Sequence, residues 1–225
     1  MKSKILYADQ SVLVVHKPAG IAVESASVTQ MDVISELKNE LKLTYIGLVH
    51  RLDQPVEGLF VVGKTKQDTA KLTKQLQEGS LSKSYLALAY PGEGVKDSKG
   101  NFFLQDYLYR DPKTRRAVIT TDAKDPRVKE ALLSGSILQQ TKDGAFLCRI
   151  RIETGRFHQI RAQMAHAGMP LLGDEKYGSQ GSAGMSKALG IRQLCLCADQ
   201  LSFLHPKTGR RMEFSITPAW SSVYE

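Results

Sequence analysis

Gly47-Leu48-Val49-His50-Arg51-Leu52-Asp53, continued by Gln54-Pro55-Val56-Glu57-Gly58-Leu59-Phe60, is an apolar strand-like run with a charged end. Side chains alternate faces along an extended chain, so Arg51 and Asp53 point the same way. Pro55 stops the ladder, and Gly58 lets the chain turn into another apolar run that ends at Gly63. A carboxylate beside a guanidinium stays ionised at neutral pH, and at a loop edge it can reach a substrate. The same two residues also suit a structural ion pair at a strand end.

Outward from this stretch, the pattern predicts many strands and few helices. Ile5-Leu6-Tyr7 and Val12 to His16 read as strands around the turn at Asp9-Gln10-Ser11, and Pro18-Ala19-Gly20 reads as a second turn. Met31, Ile34, Leu37 and Leu41 recur at helical spacing between about Thr29 and Leu43. Thr65 with Asp68 three residues on resembles a helix N-cap, and Gly79 is a stop. Ser84 to Tyr90 reads as a strand, and Pro91 to Asn101 as a surface loop. Asp111-Pro112-Lys113-Thr114 is a turn between strands. Lys142-Asp143-Gly144 is a hairpin signal before the strand Ala145 to Ile152. Arg156 to Ala167 reads as a helix, which puts Arg156 to Arg161 in its first turns and His158 and Arg161 on one face. Ser179 to Met185, small and polar, is expected to be a mobile loop. The whole predicts an α+β fold over residues 1–225: a single domain whose mostly antiparallel mixed sheet is flanked by a few helices and loops.

The chain has 225 residues, of which 42% are hydrophobic and 24% charged, as in ordinary soluble globular proteins. It has no apolar run long enough to span a membrane and no signal-peptide core, so it is expected in the cytoplasm. Three cysteines (Cys148, Cys195 and Cys197) cannot all pair within one chain and are expected to be reduced and buried. The histidines lack zinc spacing. A net charge of +8 favours a polyanionic partner, since each phosphate contact by Lys or Arg releases counterions.

Gly58-Leu59-Phe60-Val61-Val62-Gly63-Lys64-Thr65 satisfies the phosphate-loop pattern. Leu59 to Val62 is instead a buried β run whose amides belong to a ladder, so no nucleoside triphosphate is expected. Asp53 and Glu57 also suit a glycosidase carboxylate pair, but Glu57 reads as a solvated turn residue. Tyr85 alternates with Ala87 and Ala89, a pattern that also suits a core aromatic.

His50-Arg51-Leu52-Asp53 with Gly58-Leu59 resembles the HRLD motif of the RluA-like pseudouridine synthases. Lys83-Ser84-Tyr85-Leu86-Ala87-Leu88 is similar to that family's tyrosine strand, and Thr154-Gly155-Arg156-Phe157-His158-Gln159-Ile160-Arg161 to its TGRxHQIR motif. Gly168 to Gly178 resembles its GxPLxGDxxYG segment, His205-Pro206-Lys207-Thr208-Gly209 its HPxTG turn, and Asp9 to Gly20 its opening strand and KPxG turn. The matches follow the family's order and run nearly end to end. The chain departs from the pattern at Val56 and Glu57, where the family has threonine and serine, and at Gln163 and Cys197, where it has histidine. Neither Gln163 nor Cys197 is assigned a catalytic role. The family often carries a small N-terminal RNA-binding domain, which this chain is expected to lack.

The resemblance implies an RNA pseudouridine synthase, an isomerase acting on specific uridines in rRNA or tRNA. The alternative is a catalytically silent RNA-binding protein on the same fold. It implies that Asp53 attacks covalently at the anomeric carbon or the ring, or that a glycal forms. It makes Arg161 the basic partner of Asp53, and Tyr85 the ring stacked on the target base. Arg161 would hold Asp53 below the ordinary aspartate value, near 3.9, despite burial. The target base must be flipped out of its stack to react. Arg51 would contact a phosphate or fill the vacated space, and Ile160 would form an apolar wall. His158 is expected to hydrogen-bond rather than transfer protons, and His50 and Arg156 complete the expected substrate contacts. No cofactor or metal is expected, and the protein is expected to act as a monomer with RNA as its partner.

Overall fold

The computed structural model describes residues 2–25, 30–92, 100–122 and 124–224. In chain order these form β1 (Lys4–Ala8), β2 (Val12–Lys17), α1 (Val33–Leu41), β3 (Gly47–Leu48), β4 (Glu57–Gly63), α2 (Lys66–Gln77) and β5 (Ser82–Ala89). There follow β6 (Asn101–Asp111), β7 (Arg116–Thr120), β8 (Lys129–Gln140), β9 (Phe146–Ile152), α3 (Gln159–His166), α4 (Gln180–Ala188), β10 (Leu196–Leu204), β11 (Arg211–Ser215) and a single 3-10 turn, Ser221–Val223. The chain divides into two compact units: Met1–Lys83 with Cys197–Pro218, and Ser84–Leu196 with Ala219–Glu225.

In the first unit β2 runs antiparallel to β1 and β4, β3 adds antiparallel to β4, β10 lies parallel to β4, and β11 runs antiparallel to β10. Val12 to Val15 and Leu59 to Val62 are buried on both strand faces, which is why these runs are continuously apolar rather than alternating. Val14, Leu59, Val61 and Phe203 close over Leu72 of α2 as one core cluster. The Thr65 hydroxyl accepts the Asp68 N–H at 3.1 Å, the expected N-cap, and Gly79 beyond the helix has φ 77°. The Gly58–Gly63 run is β4, with its backbone paired to β2. Gly58 has φ 143°, and a Cβ there would lie 2.5 Å from the Ala198 nitrogen, so only glycine permits the parallel β4–β10 approach.

The second unit is an antiparallel sheet in the spatial order β5-β9-β8-β6-β7. The expected turns close it. Asp111 accepts the Lys113 and Thr114 N–H groups, and Gly144 (φ 88°) donates to Thr141. One cluster joins Leu108, Ala117 and Ala131 to Ala162 of α3. Another joins Leu86, Leu88 and Leu147 to Met185 of α4 and to Trp220. Mostly antiparallel strands with a parallel pair at β4–β10 and a few interspersed helices make the expected α+β fold.

Local readings differ in three places. The first helix begins at Val33, not near Thr29 (which lies outside the described residues), because Asp32 caps the Ser35 N–H at 2.8 Å; Met31 is left 78% exposed. Ser179 to Met185 is no mobile loop but the start of α4. Ser179 and Ser182 cap one another reciprocally, and Met185 packs into the core. Arg156 to His158 is not helical, for a reason that belongs to the site. The loop expected at Pro91 to Asn101 lies mostly outside the described residues, at 93–99. All three cysteines are buried, as expected. No helix among the described residues is long and apolar enough to cross a membrane.

Candidate active site

The first unit carries His50, Arg51 and Asp53; the second carries Tyr85, Arg156, His158, Ile160 and Arg161. The alternation read from the sequence holds although the ladder stops at Leu48: His50 and Leu52 are buried, Arg51 is exposed and Asp53 half-buried. A turn follows at once, closed by the Val56 N–H donating to the Asp53 carbonyl at 3.0 Å.

That turn is braced by a residue to which the sequence reading gave no role. Lys17 is 0% exposed, and its Nζ donates to the carbonyls of Pro18 (3.0 Å), Ile21 (2.8 Å) and Gln54 (3.0 Å). Gly20 N–H also donates to the Gln54 carbonyl, and Gln54 Nε2 returns a bond to the Gly20 carbonyl. The residue next to Asp53 is thus pinned to the Lys17–Ile21 turn from both sides. Burial pulls the Lys17 ammonium down to about 8, while the charges of Asp53 and Glu57 act to raise it. The sequence signal for such a residue is a lone lysine ending an apolar strand, Val12-Leu13-Val14-Val15-His16-Lys17.

Glu57 corrects another expectation. It is not a solvated turn residue but is 4% exposed at the start of β4, with its Oε1 2.9 Å from His16 Nε2. A buried carboxylate needs such a partner, and His16 lies on the adjacent strand, 41 residues away in sequence.

In the second unit Tyr85 sits in β5 opposite Ile150 and is 5% exposed. The Thr154–His158 segment is tied down by Gln159: its Oε1 accepts from the Thr154 hydroxyl and the Arg156 N–H, both at 2.9 Å, and its Nε2 donates to Leu132. Gln159 therefore opens α3, and His158 before it turns left-handed at φ 52°. So His158 and Arg161 are not neighbours on one helix face as the spacing suggested. His158 stacks on Phe157 with ring centroids 3.8 Å apart, and its Nδ1 lies 2.8 Å from the Tyr177 hydroxyl. The Ala117 N–H donates to that same hydroxyl. Burial first, then the charges of Arg161 and Lys176, push His158 down to about 3. It is hydrogen-bonded to Tyr177 and held neutral at physiological pH.

Arg161 is held by Asp174. Nε donates to Oδ2 at 2.7 Å and NH2 to Oδ1 at 2.6 Å, and the guanidinium lies 5.0 Å from the Tyr177 ring centroid. Oδ1 also accepts the Lys176 and Tyr177 N–H groups. Burial acts to raise the Asp174 pKa, but the bonds and charge of Arg161 outweigh it and hold the carboxyl below its usual value. Asp174 and Tyr177 fall in the Gly168–Gly178 segment that carried part of the resemblance, but no role had been assigned to them. Ile160, 6% exposed, lies in the first turn of α3. Arg156 is exposed, its Nε donating to the Glu130 carbonyl. Gln163, where the family has histidine, is fully buried and donates to Leu104, Asp106 and Ala131.

Residues 11–166, which contain Asp53, Tyr85 and Arg161, match the family described as RNA pseudouridylate synthase. The chain belongs to the RNA pseudouridylate synthase family. Among curated members, it is 31% identical over 219 residues to the ribosomal large subunit pseudouridine synthase C of Buchnera aphidicola subsp. Schizaphis graminum, covering 93% of this chain and 65% of that protein. It is 33% identical over 241 residues to the ribosomal large subunit pseudouridine synthase D of Neisseria meningitidis serogroup A, covering 100% of this chain and 60% of that protein. The chain thus spans somewhat less than two thirds of these relatives' length. Among solved structures, human RNA pseudouridylate synthase domain containing 1 matches with TM-score 0.76 at 19% identity, over 96% of this chain and 84% of that one. That likeness shows the pseudouridine synthase fold.

Proposed function

We propose that this chain isomerises specific uridines in rRNA or tRNA to pseudouridine, with Asp53 as nucleophile. The observation that carries the reading is Asp53 itself: a half-buried carboxylate on a turn pinned by Lys17, in the HRLD stretch of a family of this description. Nucleophiles need such rigid mounting, since small displacements from attack geometry cost large factors in rate. The reaction is redox-neutral. The C1′–N1 bond breaks, the uracil turns, a C1′–C5 bond forms, the C5 proton leaves and N1 takes one up. It calls for no cofactor, metal or nucleoside triphosphate.

Tyr85 is proposed to stack on the flipped uracil and to help remove the C5 proton. Arg161, oriented by Asp174, is proposed as the cation serving the nucleophile. Arg51, exposed beside Asp53, contacts a phosphate or fills the space the base leaves, and Ile160 walls off water. His158, His50 and Arg156 complete the substrate contacts. The protein is proposed to act as a cytoplasmic monomer. The relatives' names, ribosomal large subunit pseudouridine synthases, favour rRNA.

Asp53→Asn keeps the size and removes the nucleophile. We expect turnover on cellular rRNA to fall below about one per cent, a loss of ~3 kcal/mol in barrier stabilisation, with folding and RNA binding retained. A position-resolved pseudouridine map of RNA from cells with and without the gene identifies the target. Turnover by the Asn variant near that of the unsubstituted protein overturns the assignment. Bound RNA with no turnover by the unsubstituted protein indicates a silent binding protein instead.

A further inference from the structure

Arg110 to Arg116, the end of β6, its turn and the start of β7, hold four cations and one carboxylate. Arg110, Lys113, Arg115 and Arg116 are all exposed. The carboxylate, Asp111, is engaged by the turn itself: it accepts the Lys113 and Thr114 N–H groups and the Thr114 hydroxyl, at 3.0, 3.3 and 2.6 Å. Lys176 joins the group from the Gly168–Gly178 segment. Its Nζ donates to the Arg115 carbonyl at 3.1 Å, and Arg116 donates back to the Lys176 carbonyl. None of these five cations makes an ion pair among the described residues. Two of them are mounted on rings. The Arg110 guanidinium lies 4.7 Å from the centroid of Phe157, and that of Arg116 lies 5.7 Å from the centroid of Tyr177. Between these, Phe157 stacks on His158 at 3.8 Å, and His158 meets Tyr177 edge-on at 5.6 Å. The cations therefore form one cluster against one row of rings, all within the second unit.

Clustered like charges repel one another, and stability favours pairing them with carboxylates. Here carbonyls and ring faces hold the cations in place and neutralise none of their charge. A ring face leaves the in-plane N–H groups of a guanidinium open, and that fork matches phosphate oxygens. On a chain of net charge +8 read as an RNA enzyme, the complementary group is the phosphodiester backbone. We infer that Arg110, Arg115, Arg116 and Lys176 form a contact surface for backbone phosphates of the RNA substrate, fixed against the Phe157, His158 and Tyr177 rings. The inference rests on the RNA-modifying function proposed above and assigns binding to a hairpin to which that reading gave no role.

The test is binding without turnover, in the Asp53→Asn background, with a short oligouridylate as probe. Arg110→Gln, Arg115→Gln and Lys176→Gln together are expected to reduce the slope of log affinity against log salt by about 2, three phosphates' worth on a single strand, and to weaken affinity about a hundredfold at about 0.1 M salt. Arg110→Lys with Arg115→Lys and Lys176→Arg keeps the charge and is expected to keep the slope. Lys66→Gln, Lys142→Gln and Lys207→Gln, exposed on other parts of the fold, lower the net charge equally and are expected to leave the slope almost unchanged. Where the triple hairpin variant loses Tm, Arg115→Gln alone, at the exposed turn, is read instead, with an expected loss of about 0.7 in slope. An unchanged slope in the hairpin variants overturns the inference. So does an equal loss in the variant substituted elsewhere, which would make the attraction one of net charge alone, or the absence of any oligouridylate binding in the Asp53→Asn protein. Turnover is never read here, so failure of the catalytic assignment and failure of the contact surface show up in different measurements.

Discussion

Arg161 is fixed by a bidentate bond to a carboxylate that is itself held by two backbone N–H groups. A guanidinium in that position depends on its planar fork, which an ammonium lacks. Arg161→Ala should therefore lower turnover strongly and Arg161→Lys should restore it only in part; near-normal turnover in the alanine variant removes Arg161 from the chemistry. Asp174→Asn should cost about 3 kcal/mol of unfolding free energy, because it leaves a buried cation poorly matched. Asp174 contributes through a depressed pKa, so its contribution is present at neutral pH and lost as pH falls through that value. The deficit of the Asn variant, read by denaturant titration, should shrink in acid. Tyr85→Phe keeps the ring and removes the hydroxyl. It should bind RNA and cleave the glycosidic bond but release product slowly, with stalled intermediates visible by mass spectrometry. Product formation at the unsubstituted rate would leave Tyr85 a stacking role only.

At the scale of elements, each helix is set by its first turn. Thr65 caps the N–H of Asp68, Asp32 that of Ser35 and Ser179 that of Ser182. α3 is the exception, since its N-cap residue, His158, makes no side-chain cap bond and the side chain of Gln159 organises the approach instead. α4 is short and little apolar, so its reciprocal serine cap carries an unusual share of its stability. Ser179→Ala should lower the unfolding free energy by ~1 kcal/mol while leaving oligouridylate affinity intact. A variant as stable as the parent would show that packing of Met185 alone holds the helix. Such a cap was hard to read from the sequence because serine, rather than Glu or Gln, stands at the third helical position.

For the whole molecule, the buried bases give stability a definite pH profile. His158, at about 3, and His50, well below its usual 6.5, stay neutral in the folded protein while the unfolded chain takes up their protons near 6.5. The unfolded state then binds more protons, so stability should fall as pH drops below about 7. Lys17 and Lys83, both at about 8 against a usual 10.5, lose protons in the folded state first. Between these values the unfolded chain again holds more protons, so stability should rise with pH from about 8 towards 10. Denaturant titrations across this range test both limbs. A flat alkaline limb would mean that neither lysine is buried in solution, and Lys83→Met should flatten its share of it.

The sequence by itself determined the elements whose signals are local. The alternation of His50, Arg51, Leu52 and Asp53, the Thr65 cap and Gly79 stop, the Asp111 and Gly144 turns, and the continuous runs of β2 and β4 all depend on neighbours a few residues away. The ordered family motifs likewise fixed the fold and the candidate residues. Only the tertiary structure decided which polar groups are buried and what satisfies them. Glu57 became a buried partner of His16, Lys17 a clamp on Gln54, Arg161 a fork on Asp174, and the His50 ring nitrogens were left without a partner among the described residues. The physical reason is that the cost of burying a polar group is settled by partners tens of residues away, which periodicity and propensity do not record.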